Sequence, residues 1–118
     1  MSRVISDADV MAYSKATGYP VSEAKEVLAS MKPELRKRIL HAAQSKPRRD
    51  GLLRDPLEDD LATRKLVRQA AAEAERAVTY EGLGRCHLVW EEQARILWKR
   101  HGIRWYSPAK MNHFVCFD

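Results

Sequence analysis

The chain carries ten helix-breaking residues, five glycines and five prolines, and their placement constrains the fold most. Proline lacks the N–H a helix interior needs, and glycine is entropically costly there, so both collect at helix ends and turns. Here they punctuate runs of apolar residues spaced three and four apart, the periodicity of an amphipathic helix. No run shows the sustained β-branched alternation of a sheet. The pattern predicts an all-α protein.

Ser6-Asp7-Ala8-Asp9 has the form of a capping box. Val10, Met11, Tyr13, Ser14 and Thr17 then make a short helix that Gly18 ends, and Tyr19-Pro20 turns the chain. A second helix places Val21, Ala24, Val27, Leu28 and Met31 on one stripe. Pro33 opens a third, with Leu35, Ile39, Ala42 and Ala43 inward and Arg36, Lys37 and Arg38 pointing away. Residues 1–44 thus read as an N-terminal three-helix module.

The stretch SKPRRDGLLRD, residues 45–55, reads as a basic linker. Asp55-Pro56-Leu57-Glu58 is a helix start with an Asp cap, proline at the first position and an acid at the third. One helix over 56–80 is expected, its stripe formed by Leu57, Leu61, Leu66, Ala70, Ala74, Ala77 and Val78. Gly82 and Gly84 end it. A second long helix from Leu83 to His101 repeats Leu83, Cys86, His87, Trp90, Ala94, Leu97 and Trp98 at three and four, until Gly102 stops it. Residues 56–118 therefore predict two long antiparallel helices with a packed aromatic C-terminal extension.

That extension, HGIRWYSPAKMNHFVCFD, is unusually rich in core-grade side chains for a chain end. Ile103 and Trp105 alternate around Arg104, and Ser107-Pro108 is a cap with its favoured proline. Phe114, Val115 and Phe117 are expected to close over the last two helices.

Charge is unevenly spread. The net +5 resolves into −1 over residues 1–31, +6 over 32–54, −3 over 55–81 and +3 over 82–118. Segment 32–54 holds eight basic and two acidic residues, six of the basic ones in the clusters Arg36–Lys37–Arg38 and Lys46–Arg48–Arg49. Such a block attracts phosphate or an acidic protein face. Both clusters are expected to be exposed.

Specific chemistry finds little support. Nucleophile elbow, P-loop, zincin and dinucleotide motifs are missing from the sequence. Cys86, His87, His101, His113 and Cys116 are the only soft-metal set, but adjacent Cys86 and His87 diverge by about 100° on a helix and cannot easily share an ion. No catalytic residue, metal or cofactor is expected. A recognition helix over Val21–Met31 would present Glu23 and Glu26 to phosphate, which argues against base-specific reading. With no signal peptide or membrane span, a cytoplasmic location is expected, with both cysteines reduced.

Thr17-Gly18-Tyr19-Pro20, followed by Ala24, Val27 and Leu28, resembles the opening of three-helix modules of the ubiquitin-associated (UBA) type, including those at the start of bacterial elongation factor Ts. That resemblance spans about 39 residues and implies a protein-docking module. The pattern Trp90, Leu97-Trp98, Gly102-Ile103, Trp105, Ser107-Pro108, Met111-Asn112 and Phe117-Asp118 is similar to the ends of small bacterial and prophage proteins, implying such an origin.

The expected function is binding of a macromolecule: a protein partner contacted by Gly18, Tyr19, Pro20, Arg36, Lys37, Arg38, Lys46, Arg48 and Arg49. The alternative is sequence-tolerant nucleic-acid binding by the same basic residues, with a zinc or enzymatic domain third. The Ala-rich helix 56–80 leaves open a homodimer.

Overall fold

The computed structural model describes residues 5–45, 52–112, 115 and 117. All regular structure among them is helical, as the periodicity requires. The chain divides into two compact units, Met1–Leu53 and Arg54–Asp118.

In the first unit, α1 (Asp7–Thr17), α2 (Val21–Ser30) and α3 (Pro33–Ala43) follow one another with short turns. Ser6 caps α1 by accepting from the Asp9 N–H at 3.1 Å. Only that half of the capping box forms in the expected way, because the Asp9 carboxylate accepts from Gln44 Nε2 at 3.1 Å. Helix α1 packs on both α2 and α3. The three helices contribute a small core: Val10, Tyr13, Ala24, Leu28 and Ile39, with Leu53 also buried at the unit's end. Met11 and Val21, expected on the inner stripes, are 56% and 48% exposed. Short helices bury a narrower face than the periodic pattern offers, and these two residues lie outside it.

The second unit begins with a correction. Instead of one helix over 56–80, a 3₁₀ turn (Pro56–Asp59) precedes α4 (Leu61–Ala77). The cause is two competing caps. Asp55 accepts from the Leu57 N–H at 3.1 Å, while Asp60, in extended conformation (φ −79°, ψ 127°), accepts from the Thr63 N–H at 2.9 Å and starts a new helix. That bond, with one from the Thr63 hydroxyl, holds the exposed Asp60 carboxyl below the usual carboxylate range.

Helix α5 (Arg85–His101) returns antiparallel to α4, since Glu75 meets Arg85 and Val67 meets Gln93. The buried faces are rotated from the expected stripes. On α4 they are Val67, Ala70 and Ala74, with Leu61 75% exposed; on α5 they are Val89, Gln93, Ile96 and Leu97, with Trp98 exposed. Leu83, expected to open this helix, lies before it and is exposed. Gln93 sits in this apolar seam because its amide donates to the Val67 carbonyl at 3.0 Å, so the buried polar group is not left unpaired. The expected members Cys86, His87, Trp90 and Ala94 lie on the flank, half-buried.

Gly102 ends α5 in the left-handed region (φ 65°), where its missing Cβ removes the steric penalty. Trp105, only 6% exposed, joins the core of Val67, Ala70, Ala74, Val89, Ile96 and Leu97. Ser107 caps α6 (Pro108–Met111), whose Met111 is fully buried. Acids near the helix start tie this ending down: Glu58 Oε2 accepts from Trp105 Nε1 and Asp55 Oδ2 from the Tyr106 N–H, both at 2.9 Å.

Candidate functional site

The Gly18–Tyr19–Pro20 loop is held from several sides. Gly18 adopts φ 82° and donates its N–H to the Ser14 carbonyl at 2.8 Å. The Ser14 hydroxyl donates to the Tyr19 carbonyl at 2.6 Å, and the Tyr19 N–H donates to Thr17 Oγ1 at 3.3 Å. The Tyr19 ring lies 6.0 Å from that of Tyr13. Gly18 and Pro20 are exposed and Tyr19 is half-buried. Exposed Val21 follows directly. Met11 stands seven residues before Gly18, two helical turns back on the same face of α1.

The basic clusters fare differently. Lys37 is exposed, whereas Arg36 and Arg38 are half-buried. Arg36 does not simply point away: its Nη1 donates to the Leu28 carbonyl at 3.1 Å, tying α3 to the end of α2. Arg36 and Lys37 share a groove of about 340 Å³ with Ile5, Asp9, Pro33, Glu34 and Leu40, so two acids offset the two cations there. Lys46, Arg48 and Arg49 lie outside the described residues, as do His113 and Cys116.

Of the soft-metal set, His87 directs Nε2 at the Phe117 carbonyl, 2.9 Å away, and His101 is exposed. Among the described residues, no three His, Cys, Asp or Glu side chains group as a metal site. The described helices contain none long and apolar enough to cross a membrane. Ala70 and Ala74 of the Ala-rich helix are covered by α5 within the chain.

Two features escaped the sequence reading. The Tyr13 hydroxyl is buried with no hydrogen-bond partner, and burial, reinforced by Tyr19, pushes its pKa far above the usual tyrosine range. No local pattern reports a missing partner. The second is a groove of about 380 Å³ in the second unit, between the α5 flank (His87, Trp90, Glu91, Ala94) and Trp105, Ser107, Ala109 and Lys110. The spacing of its α5 wall was visible as an apolar stripe, but an open groove beside it depends on where the ending packs. No family model, curated protein or solved structure matches this chain.

Proposed function

We propose that the chain is a non-enzymatic helical binding protein that docks a protein partner through its N-terminal helices. The contact comprises the Gly18–Tyr19–Pro20 loop and basic segment 32–54. Likeness to a ubiquitin-associated module belongs to the same reading, as does a division into docking module and helical hairpin with a packed aromatic ending. A cytoplasmic setting suits it.

The supporting observation is the loop. Three hydrogen bonds fix it, so little conformational entropy is lost when a partner binds. Val21 beside it and Met11 on α1 leave large apolar side chains in water, available to a partner. Lys37 supplies charge from the basic segment.

The test is affinity capture of one identified partner by the wild-type chain and by two variants. Val21→Asp with Met11→Asp is expected to abolish capture, and Lys37→Glu to slow association, more so at low salt. Lys37 is chosen because reversing Arg36 would break its bond to Leu28 as well. Retention of the same partner by both variants would sink the proposal. Binding to duplex DNA instead, with log affinity falling against log salt at a slope near −0.9 per phosphate, would favour the nucleic-acid alternative.

A further inference from the structure

Two of the residues that line the groove of the second unit, His87 and Trp90, also hold Phe117. Phe117 places its ring edge-on to Trp90, centroids 5.2 Å apart at 88°, while its main-chain carbonyl meets His87 Nε2 at 2.9 Å. His87 itself stands edge-on to Trp90 at 5.7 Å, so imidazole and indole form one corner that receives a ring and a carbonyl together. These are the two features an aromatic residue within a peptide presents. Beyond the corner the groove continues along α5 to Ala94 and along the facing segment to Lys110, with the indole of Trp105 in its lining. Its volume of about 380 Å³ lies within the range that accommodates a bound ligand. The rim carries one carboxylate, Glu91, and one ammonium, Lys110, both exposed, so no strong preference for ligand charge is built in.

From this arrangement we infer that the groove binds an extended peptide segment bearing an aromatic side chain, and that Phe117 occupies the aromatic seat in its absence. The incoming ring would take the edge-to-face position on Trp90 and its carbonyl the hydrogen bond from His87, while flanking peptide residues lie along the Trp105–Lys110 wall. Tail and ligand would then compete for one seat. This surface is separate from the loop and basic segment of the proposed function and stands or falls independently.

The probe is a synthetic acetylated peptide with the chain's own last five residues, Phe-Val-Cys-Phe-Asp, titrated into the full-length protein. Binding is followed by tryptophan fluorescence and by the indole N–H resonances. Saturable binding to the wild-type chain is expected. Affinity should rise roughly tenfold or more in Phe117→Ala, which vacates the seat, because aromatic anchors dominate such contacts. Adding Trp90→Ala to that variant should remove the gain, and a control peptide with alanine for its second phenylalanine should not bind. No saturable response from the wild-type chain, or equal responses to both peptides, would overturn the inference. If Phe117→Ala does not fold, the wild-type titration decides alone, read as a shift of the Trp90 indole N–H that the control peptide does not produce. A wild-type dimer that Phe117→Ala abolishes would assign the seat to the tail of a second copy, and would also overturn it.

Discussion

The two units solve the same problem with different means. In the first, three helices of 10 or 11 residues share a core of five buried apolar side chains, and caps and turns supply much of the order. In the second, two helices of 17 residues are tied by side chains that reach backbone, Gln93 to Val67 and Arg85 to Val78, while Arg64 ties α4 to the 3₁₀ turn at Glu58. Such anchors satisfy groups a helix end or seam would leave orphaned. The contrast teaches where change is tolerated. Both units leave large apolar side chains in water, Met11 and Val21 in the first, Leu61, Leu83 and Trp98 in the second. Each also buries one polar atom without a hydrogen bond, Tyr13 Oη and Arg85 Nε. What sets the second apart is that its polar side chains hold the ending in place.

The sharpest way to break the contrast is Trp105→Ala. It removes a buried indole from the second unit's core and its bond to Glu58, and should cost roughly 3–5 kcal/mol in chemical denaturation. A near-native midpoint would mean the ending is dispensable. Next comes Asp55→Ala, which strands the Leu57 and Tyr106 N–H groups. Hydrogen bonds to a carboxylate are worth more than neutral ones, so a loss of about 2–3 kcal/mol is expected by the same assay. Asp60→Ala, which removes only an exposed cap, should cost less; the reverse order would show that Asp55 is a cap and no more.

In the first unit Tyr13→Phe tests the orphaned hydroxyl. Deleting it should raise stability by about 1 kcal/mol, since no bond is lost and a buried unpaired group is removed. The pH dependence follows with a definite sign. The folded pKa is raised, so above about pH 10, where an unfolded tyrosine ionises, the unfolded state binds fewer protons and stability falls as pH rises. The phenylalanine variant should lose that tyrosine's share of the alkaline decline, measurable by denaturation from pH 9 to 11. Identical decline in both proteins would mean the Tyr13 hydroxyl is hydrated after all.

The smallest effect belongs to the second unit's surface. Glu73 accepts from both terminal nitrogens of Arg100, at 2.7 and 2.8 Å, and this pairing lowers its pKa. A lowered folded value means the contribution is present above the unfolded value of about 4.3 and lost as pH falls below it. Because both groups are solvated, Glu73→Gln should barely move the denaturation midpoint at neutral pH and flatten only a minor acid limb. A large neutral-pH effect would show that this pair holds the hairpin together.

Helix existence was legible because its signals are local. Ser6, Gly18, Pro33, Gly102 and Ser107 each act on their own backbone within a few residues, and a chain with no knowledge of its neighbours already carries them. The break at Asp60 escaped because two acids five residues apart both qualify as caps, and both are used, Asp55 for the 3₁₀ turn and Asp60 for α4. Which face each helix buries was less legible still. The apolar stripe of α5 is wide enough to serve two neighbours, and a three-and-four spacing cannot say which part meets α4. Val89, Gln93 and Ile96 do, while His87, Trp90 and Ala94 are left to border a groove. Likewise the cations at 36–38 formed a uniform block by charge, yet Arg36 has a backbone carbonyl to hold and Lys37 does not. By itself, then, the sequence determined the helical class, most of the capped starts and the stops at Gly18 and Gly102, since those energies are paid within one turn of chain. Helix α4, by contrast, stops at Val78, ahead of the expected Gly82 and Gly84. The rotated seams, the orphaned Tyr13 hydroxyl, the second roles of Asp55 and Glu58 and the aromatic corner at Trp90 were decided by tertiary structure alone, because each depends on residues up to about fifty positions apart meeting within hydrogen-bond or van der Waals distance.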